Sequence, residues 1–554
     1  MIDAGPSHPT PGTRIAWLVT PLCMVSLGMG CDDFRPPEQP TMMSPAAPAA
    51  MDAGADAPPT PAFTMELETP GGDPRFTHAG VGVDHVFVPD PVDHAVSVIA
   101  LDDGSVREVR TGVRPDFLGV APGRDLAVVL DVASDTAHVL EVIDGAITHA
   151  TVEIAVRTNA IAFTDDGQHA LVYFDPEAQL ARGEVPEQGI VTHIDLRAEP
   201  VATDVGVEFS PNEVGLSASP PRAYLKRNAS IASIDLEAPQ AVAVAIATGV
   251  QSARVTLFAD VGLALSFQPG GTSLTVIDLA SADRQTLFIE QLAGLGNDDD
   301  AGAGAGADPS IADAVFDTAG EHIVVALSER DLLLRLRWPE VGDDDAALTR
   351  HALAMDGAQR LLAGDGGRVA VLAGRADEAG PHTVSLWSPD DANAPLRYEL
   401  PSGALDAALI AGGDGVLVQH DDGYTLVSRT AATSSYRRAT GPASAWLDAG
   451  DELFVIAPEH DGDGDAQPVV DAAMPDAPPQ ANAGRPSVDR VALDSLEAAR
   501  VYVDSPPRGL AATPDGRRVV IDQGHPAGRI TILDLEGDTR RTLTGFHLTD
   551  RVTE

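Results

Sequence analysis

A strand–turn–strand unit recurs along this sequence, and its recurrence restricts the fold more than any other feature does. The stretch GLAATPDGRRVVID, residues 509–522, places the turn Pro514-Asp515-Gly516 between two apolar runs. An Asp-Gly pair supplies the positive φ that a tight hairpin needs. The same layout occurs in three further stretches: FLGVAPGRDLAVVLD (117–131), AIAFTDDGQHALVYFD (160–175) and DAVFDTAGEHIVVAL (313–327). The sequence therefore predicts repeated antiparallel hairpins.

A further strand that ends in a short turn accompanies these hairpins. Most residues of these strands are apolar on both faces, which is expected of strands sandwiched between neighbouring sheets. Four copies illustrate it: AVSVIAL (95–101), IVTHIDL (190–196), SIASIDL (230–236) and SLTVIDL (273–279).

The spacing of the units predicts an all-β fold, a β-propeller of four-stranded blades. Ten candidate units begin near residues 80, 116, 160, 207, 253, 312, 358, 406, 442 and 509. Periods of this length indicate repeat architectures, and the two-residue alternation with frequent Gly and Pro excludes helical repeats. Several units are degenerate, so we expect one ring of about seven or eight blades, with some units merged. A larger ring or two rings are the alternatives. We expect the N- and C-terminal strands to close the ring by sharing a blade.

The units resemble the YVTN-type propeller repeats of bacteria, a WD40-like group with S-P-D-G-R-x-x-Y-V and V-S-V-I-D signatures. ATPDGRRVVID and LTVIDL carry the resemblance, which spans about residues 65–548 and is weakest over 357–440. The Trp-Asp pair of true WD40 repeats is missing from the sequence. The resemblance implies a propeller domain over 65–548. Some propellers of this group are lactonases, in which carboxylates and His converge on the central channel.

The N-terminus has the pattern of an export signal. Arg14 precedes the apolar run IAWLVTPLCMVSLGMGC, residues 15–31, which is short for a membrane span and contains Pro21. Cys31 follows Gly28-Met29-Gly30 and resembles the lipobox of bacterial lipoproteins, although that family favours an aliphatic residue where Gly28 stands. The resemblance implies a signal peptide at 1–30 and lipidation of Cys31. A simple secretory signal and an uncleaved anchor are the alternatives.

The segment after Cys31 has the composition of a tether. Residues 31–64 are rich in Pro, Ala and Asp and have no apolar period, so we expect them to be disordered. Similar acidic, Gly/Ala/Pro-rich insertions occur near 296–310 and 459–486. A lipid on Cys31 with such a tether predicts an extracytoplasmic protein, in the periplasm or on the cell surface.

The net charge of the chain argues against nucleic acids as partners. The chain has 83 acidic and 36 basic residues and a net charge of -47. Such a surface repels phosphate backbones, so we expect no nucleic-acid binding. It also repels an anionic membrane surface, which leaves the lipid anchor as the predicted membrane contact.

One acidic stretch has the spacing of a calcium loop. Asp461, Asp463 and Asp465 place carboxylates at i, i+2 and i+4, and calcium prefers six to eight oxygen ligands. The match to an EF-hand loop stops there, because Ala466 and Ala472 stand where Gly and Glu are needed. A disordered acidic linker is the favoured interpretation, and a calcium site is the alternative.

Catalytic patterns are few. The sequence contains no H-x-H, HExxH or G-x-S-x-G. We expect three tryptophans to pack between blades: Trp338, Trp387 and Trp446. If the lactonase resemblance held, candidate channel residues would be His85, His94, His138, His193 and Asp175.

These observations favour a binding scaffold in the cell envelope, which holds an envelope protein or a ligand that the sequence does not identify. The alternative is a propeller hydrolase or lactonase with a divalent metal in the central channel, and enzymatic activity is the less favoured of the two. An enzyme would show acidic and His side chains that converge at one end of the channel. A scaffold would show an apolar or charged patch on one rim.

Overall fold

The computed structural model describes most of the repeat region, including part of every repeat unit. Described residues are 78–112, 115, 117–131, 133–156, 158–175, 189–239, 244–247, 254–289, 309–328, 332–339, 348–353, 358–374, 382–389, 395–457 and 485–547. Within these ranges no helix is both long and apolar enough to cross a membrane.

The described strands form ten antiparallel sheets of four strands each, and each sheet is contiguous in sequence. We call them blades 1 to 10 in chain order. The first five blades consist of these strands: β1 Gly80–Val81, β2 His85–Asp90, β3 Ala95–Ala100, β4 Val106–Arg110; β5 Phe117–Val120, β6 Leu126–Asp131, β7 Thr136–Ile143, β8 Ala146–Glu153; β9 Ala160–Phe163, β10 His169–Tyr173, β11 Ile190–Asp195, β12 Val201–Gly206; β13 Glu213–Ala218, β14 Pro221–Arg227, β15 Ser230–Asp235, β16 Val244–Ala247; β17 Arg254–Phe258, β18 Leu263–Phe267, β19 Ser273–Asp278, β20 Arg284–Phe288.

Blades 6 to 10 follow the same order. Their strands are β21 Ile311–Phe316, β22 His322–Leu327, β23 Leu332–Arg337, β24 Leu348–Ala352; β25 Ala358–Ala363, β26 Val369–Ala373, β27 His382–Trp387, β28 Leu396–Leu400; β29 Asp406–Ile410, β30 Gly415–His420, β31 Gly423–Ser428, β32 Thr433–Arg438; β33 Ala445–Asp448, β34 Glu452–Ile456, β35 Ser487–Ala492, β36 Ala498–Tyr502; β37 Pro507–Ala512, β38 Arg518–Gln523, β39 Arg529–Asp534, β40 Thr539–Thr544. Three 3-10 turns, Ala259–Val261, Asp365–Gly367 and Ala411–Gly413, join first to second strands.

The blades are arranged as a propeller ring. The first strands of neighbouring blades contact one another, for example β1 with β5, β5 with β9 and β25 with β29, and β37 of the last blade contacts β1. First strands therefore form the inner wall around the channel. Ten blades equal the number of units counted in the sequence and exceed the seven or eight favoured for the ring.

Burial follows strand position within a blade. In blade 8, every residue of the middle strands β30 and β31 is buried, whereas the outermost strand β32 alternates between exposed and half-buried residues. The same gradient runs from β6 to β8 in blade 2. Middle strands lie between the faces of two neighbouring blades, which explains why they are apolar on both sides.

Apolar clusters lie between neighbouring blades. Trp338 packs at the edge of the cluster between blades 5 and 6, and Trp387 is buried in the cluster between blades 6 and 7. The prediction that these two tryptophans pack between blades is confirmed. Trp446, in β33 of blade 9, is also buried.

Ring closure differs from the prediction. Blades 1 and 10 share no strand; instead, Val86 and Ile99 of blade 1 and Val520 and Ile530 of blade 10 are buried in one apolar cluster. Polar contacts reinforce this seam: Arg518 pairs with Asp102 at 2.7 Å, and the Ala79 N–H donates to Asp522 Oδ2 at 3.3 Å. Because each blade is complete by itself, packing of adjacent faces closes the ring.

The two rims of the ring are built differently. First-to-second and third-to-fourth connections lie on one rim, which we call the turn face. Second-to-third and fourth-to-first connections lie on the other, the insertion face. The three longest connections belong to the insertion face: residues 174–189, 289–310 and 457–486. The insertions predicted near 296–310 and 459–486 fall within the last two, and most of their residues lie outside the described ranges.

The repeat motif encodes the turn face. In blade 10, Thr513 Oγ1 donates to Asp515 Oδ1 at 2.6 Å and accepts the Arg518 N–H at 3.1 Å. In blade 3, Thr164 makes the equivalent bonds to Asp166 and the His169 N–H, at 2.6 and 3.1 Å. The Asp therefore stabilises a hairpin and is not a ligand-binding residue of the repeat.

The leucine that directly follows the Asp at the end of the third strand, as in IVTHIDL and SLTVIDL, has a similar structural role. Its N–H donates to a carbonyl just before the second strand: Leu196 to Gln168, Leu279 to Gly262 and Leu535 to Arg517, at 2.8 to 2.9 Å. This bond ties the end of the third strand to the start of the second. The motif thus fixes blade geometry on the turn face.

Candidate functional site

Charged side chains of alternating sign line the inner wall near the insertion face. The first strands of five consecutive blades, 4 to 8, contribute one residue each near their N-terminal ends: Glu213, Arg254, Asp313, Arg360 and Asp406. We call this set the charged arc. Each residue pairs with the last or penultimate residue of the second strand of its blade, so all five lie at the same level of the ring.

Ion pairs join the arc from blade to blade. Arg254 Nη1 lies 3.1 Å from Asp313 Oδ1, and Arg360 Nη1 lies 2.7 Å from Asp406 Oδ1. At the start of the arc, Lys226 pairs with Glu213 and donates to the Val255 carbonyl of the next blade at 2.6 Å. The arc therefore braces neighbouring blades along the channel wall.

Irregular backbone positions two members of the arc. The pairing register shifts between Ile311 and Asp313 in β21 and between Ala358 and Arg360 in β25. Such bulges change the direction of a side chain and are common near functional sites. Asp313 Oδ2 accepts the Leu361 N–H at 2.8 Å, so this carboxylate links blade 6 to blade 7 as well as to Arg254 of blade 5.

In the central part of the arc, the positively charged side chains are more exposed than the negatively charged ones. The Arg254 and Arg360 side chains are 44% and 38% exposed, whereas Asp313 is 0% and Asp406 is 20% exposed. Burial raises the pKa of the Asp313 carboxyl, and the nearby Arg254 opposes that rise. In the first strands of blades 5 to 8, the guanidinium groups are thus more exposed than the carboxylates that pair with them.

Two pairs of histidines lie in the neighbouring blades 2 and 3, and His138, His169 and His193 are buried, whereas His149 is exposed. His138 Nδ1 is 3.0 Å from His149 Nε2, and His169 Nδ1 is 3.0 Å from His193 Nε2. Burial, followed by the neighbouring His149, lowers the pKa of His138 to about 4, with Asp131 opposing. Burial and then His169 lower the pKa of His193 to about 4. Each N···N bond needs one neutral ring as acceptor, so both pairs are stable when uncharged.

Histidine–carboxylate pairs also lie at the seam of the ring. His547 Nδ1 is 3.0 Å from Asp90 Oδ2, and His78 Nδ1 is 3.9 Å from Asp522 Oδ2. Burial lowers the pKa of His547, and Asp90 is the largest opposing influence. These pairs join blade 10 to blade 1 on the insertion face. Within the described ranges, no group of three or more His, Cys, Asp or Glu side chains has a geometry that could hold a metal ion.

A cleft of about 470 Å³ opens on the turn face between blades 8 and 9. Asp414, Asp451, Glu452 and Asp494 are among its lining residues. Asp414 pairs with Arg368 of blade 7, at 2.9 Å, and Glu452 pairs with an arginine of its own blade, so part of this negative charge is compensated. The cleft is acidic, in contrast to the guanidinium donors of the arc.

The five candidate channel residues do not form one site. His85 lies on the turn face, with Nδ1 3.0 Å from Asp125 Oδ2 of blade 2, and His94 is exposed in the β2–β3 connection. His138 and His193 belong to separate pairs in different blades. The Asp175 N–H donates to Asn159 Oδ1 at 2.5 Å. The convergence expected of a lactonase site is absent among these five residues.

The other candidate residues of the sequence lie outside the described ranges. They are the predicted lipidation site Cys31 and the predicted calcium ligands Asp461, Asp463 and Asp465.

Sequence reasoning missed the charged arc. Its signal is present, because a charged residue stands within the first three positions of five consecutive first strands. The equivalent level in blades 2, 3 and 10 holds Phe117, Ala160 and Gly509. Alignment of the units by their first strands, rather than by the Asp-Gly turn, would have revealed the alternation of sign.

Comparisons with known proteins show likenesses to solved structures alone. No family model matches the chain, and no curated protein does. A crystal structure titled as the eukaryotic initiation factor is 10% identical, with a TM-score of 0.40, over 65% of this chain and 85% of that one. Kuenenia stuttgartiensis hydrazine synthase is 13% identical, with a TM-score of 0.28, over 85% and 96%. Dihydro-heme d1 dehydrogenase NirN in complex with DHE is 13% identical, with a TM-score of 0.35, over 65% and 74%. These likenesses assign no function to the chain.

Proposed function

We propose that this protein is an exported, lipid-anchored β-propeller that serves as a binding scaffold in the cell envelope, with the insertion face as its binding face. The charged arc is the observation that carries the proposal. It breaks the repeat pattern at one level of the inner wall, and it lies on the rim from which the three longest connections leave.

The structure of the turn face also supports the insertion face as the binding face, because the two rims differ in their connections. Its connections in blades 3 and 10 are held by hydrogen bonds that the repeat motif makes within the blade, those of Thr164 and Thr513. Binding sites are commonly carried by variable loops on a rigid framework. The insertion face has the variable connections, and the braced ring supplies the framework.

Photo-crosslinking from the two rims tests the binding face. Val92 is 79% exposed on the insertion face, and Ile143 is 49% exposed at the β7–β8 hairpin of the turn face. We expect a benzophenone amino acid at position 92 to capture a discrete envelope component in living cells, and the same probe at position 143 to capture none. Equal capture from both rims, or capture from position 143 alone, would reject the insertion face as the binding face.

Export and anchoring are tested at Cys31. The lipobox resemblance predicts that the wild-type protein takes up labelled palmitate and sediments with membranes, because several acyl chains anchor a protein stably. We expect Cys31→Ala to abolish labelling and to shift the folded propeller to the soluble fraction. Membrane sedimentation and labelling that persist in Cys31→Ala would contradict lipid anchoring at this residue.

A further inference from the structure

The charged arc exposes guanidinium hydrogen-bond donors, whereas most ionisable side chains of this chain are carboxylates, which accept hydrogen bonds. With a net charge of -47, most of the surface is acidic. Between blades 5 and 8, the exposed members of the arc are Arg254 and Arg360, and the carboxylates that pair with them are less exposed or buried. We propose that this part of the channel wall binds a small oxyanion ligand, carrying carboxylate or phosphate groups, through Arg254 and Arg360. The inference rests on the proposed binding function and names its ligand class.

Bracing alone does not account for two arginines in this arrangement. A guanidinium carries five N–H donors in a planar fork that matches carboxylates and phosphates. In each ion pair the closest contact is made by Nη1, and about two fifths of each side chain remains exposed. A lysine would brace neighbouring blades with fewer donors, as Lys226 does at the start of the arc.

The direction of the carboxylates also favours an anionic ligand. Asp313 is fully buried and is engaged by Arg254 and by the Leu361 N–H, so its oxygens are directed at the protein. An anion that enters the channel from the insertion face therefore meets guanidinium groups before it meets this carboxylate. Arg254 and Arg360 both act electrostatically on the Asp313 carboxyl, so a ligand with more than one anionic group that binds beside Asp313 lies in the field of both arginines.

The alternating charges of the arc and their ion pairs lie on blades 4 to 8, and outside the arc β37 of blade 10 has the exposed Arg508. Blades 4 to 8 carry the arc, whereas the same level in blades 2, 3 and 10 holds Phe117, Ala160 and Gly509. An anionic ligand is thus held against one side of the channel. A site with arginines on every blade would instead attract anions to the channel axis.

Titration calorimetry of the full mature protein in detergent tests the proposal, with citrate and inorganic phosphate as separate probes. We expect saturable binding of at least one probe, and weakening by about tenfold or more in Arg254→Gln and in Arg360→Gln. The matched control is Arg284→Gln, which removes the same charge from an exposed position on the outer strand β20. Binding of citrate alone would identify a carboxylate ligand, and binding of phosphate alone would identify a phosphorylated one.

The melting temperature and the ligand affinity of Arg254→Lys distinguish ligand binding from a purely structural role of the ion pair. Arg254→Lys keeps a cation that can pair with Asp313 but loses the fork, so we expect its melting temperature to stay near that of wild type while binding weakens. Absence of saturable binding by wild type, or equal affinities for the Arg254, Arg360 and Arg284 variants, would overturn the proposal. Crosslinking from position 92 uses no arc residue, so it would still report on the scaffold function if the arc bound no anion.

Discussion

The turn face and the insertion face of this ring are built from the same forty described strands, and the Thr-x-Asp turn of the repeat belongs to the turn face. On the turn face, Thr164 and Thr513 make the same two hydrogen bonds in blades that are separated by most of the chain. On the insertion face, equivalent positions hold Arg254, Asp313 or Gly509. A turn that recurs in this way marks what the fold of a blade needs, and the charged arc marks a level at which blades differ from one another.

The comparison also separates two kinds of contact between blades. Turn-face contacts join a hairpin to its neighbour through carboxylates and backbone groups, as Asp125 of blade 2 does with Asp84 and His85 of blade 1. Insertion-face contacts include the ion pairs of partly exposed arginines in the arc, beside the buried Asp313 that also accepts a backbone N–H. We therefore expect turn-face substitutions to change stability more than insertion-face substitutions do.

Removal of Asp125 gives the largest expected effect. Its carboxylate accepts the N–H groups of Asp84 and His85, at 2.9 and 3.1 Å, and lies 3.0 Å from His85 Nδ1. Loss of a charged acceptor costs about 1.5–3 kcal/mol for one bond, so we expect Asp125→Ala to lower the free energy of unfolding by ~3 kcal/mol in urea titrations. The control is Asp103→Ala, at an exposed turn where the carboxylate accepts hydrogen bonds from the N–H and the side chain of Ser105, a residue of the same turn; we expect its unfolding midpoint to match wild type. A midpoint in Asp125→Ala equal to that of Asp103→Ala would show that turn-face carboxylates do not hold the blades together.

The next largest expected effect is a loss of stability at acidic pH, through the buried His138 of blade 2. In the folded chain the pKa of His138 is lowered from 6.5 to about 4, so the unfolded chain binds this proton first. Its contribution to stability is therefore complete above pH 6.5 and declines as the pH falls towards 4. At pH 5 the decline for one such group is ~2 kcal/mol.

His138→Gln tests this assignment against an exposed histidine of the same rim. We expect the loss of unfolding free energy between pH 7 and pH 5 to be ~2 kcal/mol smaller in His138→Gln than in wild type, because the group that titrates is gone. His149 and Asp131, which face His138, are unchanged in this variant. His94→Asn, at an exposed position with φ 58° where Asn is tolerated, should keep the wild-type pH dependence. Identical pH profiles for all three proteins would rule out His138 as the titrating group.

The architecture was predictable because every blade encodes it locally. First strands begin at Gly80, Ala160, Ala358 and Asp406, where the sequence places unit starts. Even the unit of weakest resemblance, near residue 358, forms a complete blade, since β26 keeps an apolar pattern and the turn before it contains Asp365-Gly366, with Gly366 at φ 65°. This persistence explains why ten blades form where merging of degenerate units was expected.

The candidate site was not predictable in the same way, because it depends on contacts between blades. Arg254 and Asp313 are partners across a blade boundary and an insertion, so no local pattern relates them. Ring closure has the same origin: faces of blades 1 and 10 meet through Val86 and Val520, which look like ordinary core positions in the sequence. Local repeats specify the blade, whereas the ring and its site depend on packing between blades.

Shortening a connection of the insertion face should have the smallest effect. Residues 457–486 join β34 to β35, and replacement of 460–483 by about six Gly and Ser residues reduces the closure entropy of this loop. We expect the free energy of unfolding to rise by ~1 kcal/mol or less, measured by urea titration.

The matched change on the turn face inserts about six Gly and Ser residues between Asp515 and Gly516. It separates Thr513 from the groups that complete its turn, including the Gly516 N–H that donates to the Thr513 carbonyl at 2.8 Å, and we expect it to destabilise blade 10 by more than ~1 kcal/mol. If both changes altered stability equally, the two rims would be equally tolerant, and the assignment of binding to the insertion face would lose its structural basis. If only the turn-face insertion destabilised the ring, the insertion face would be the rim that can vary without loss of the fold, as a binding face requires.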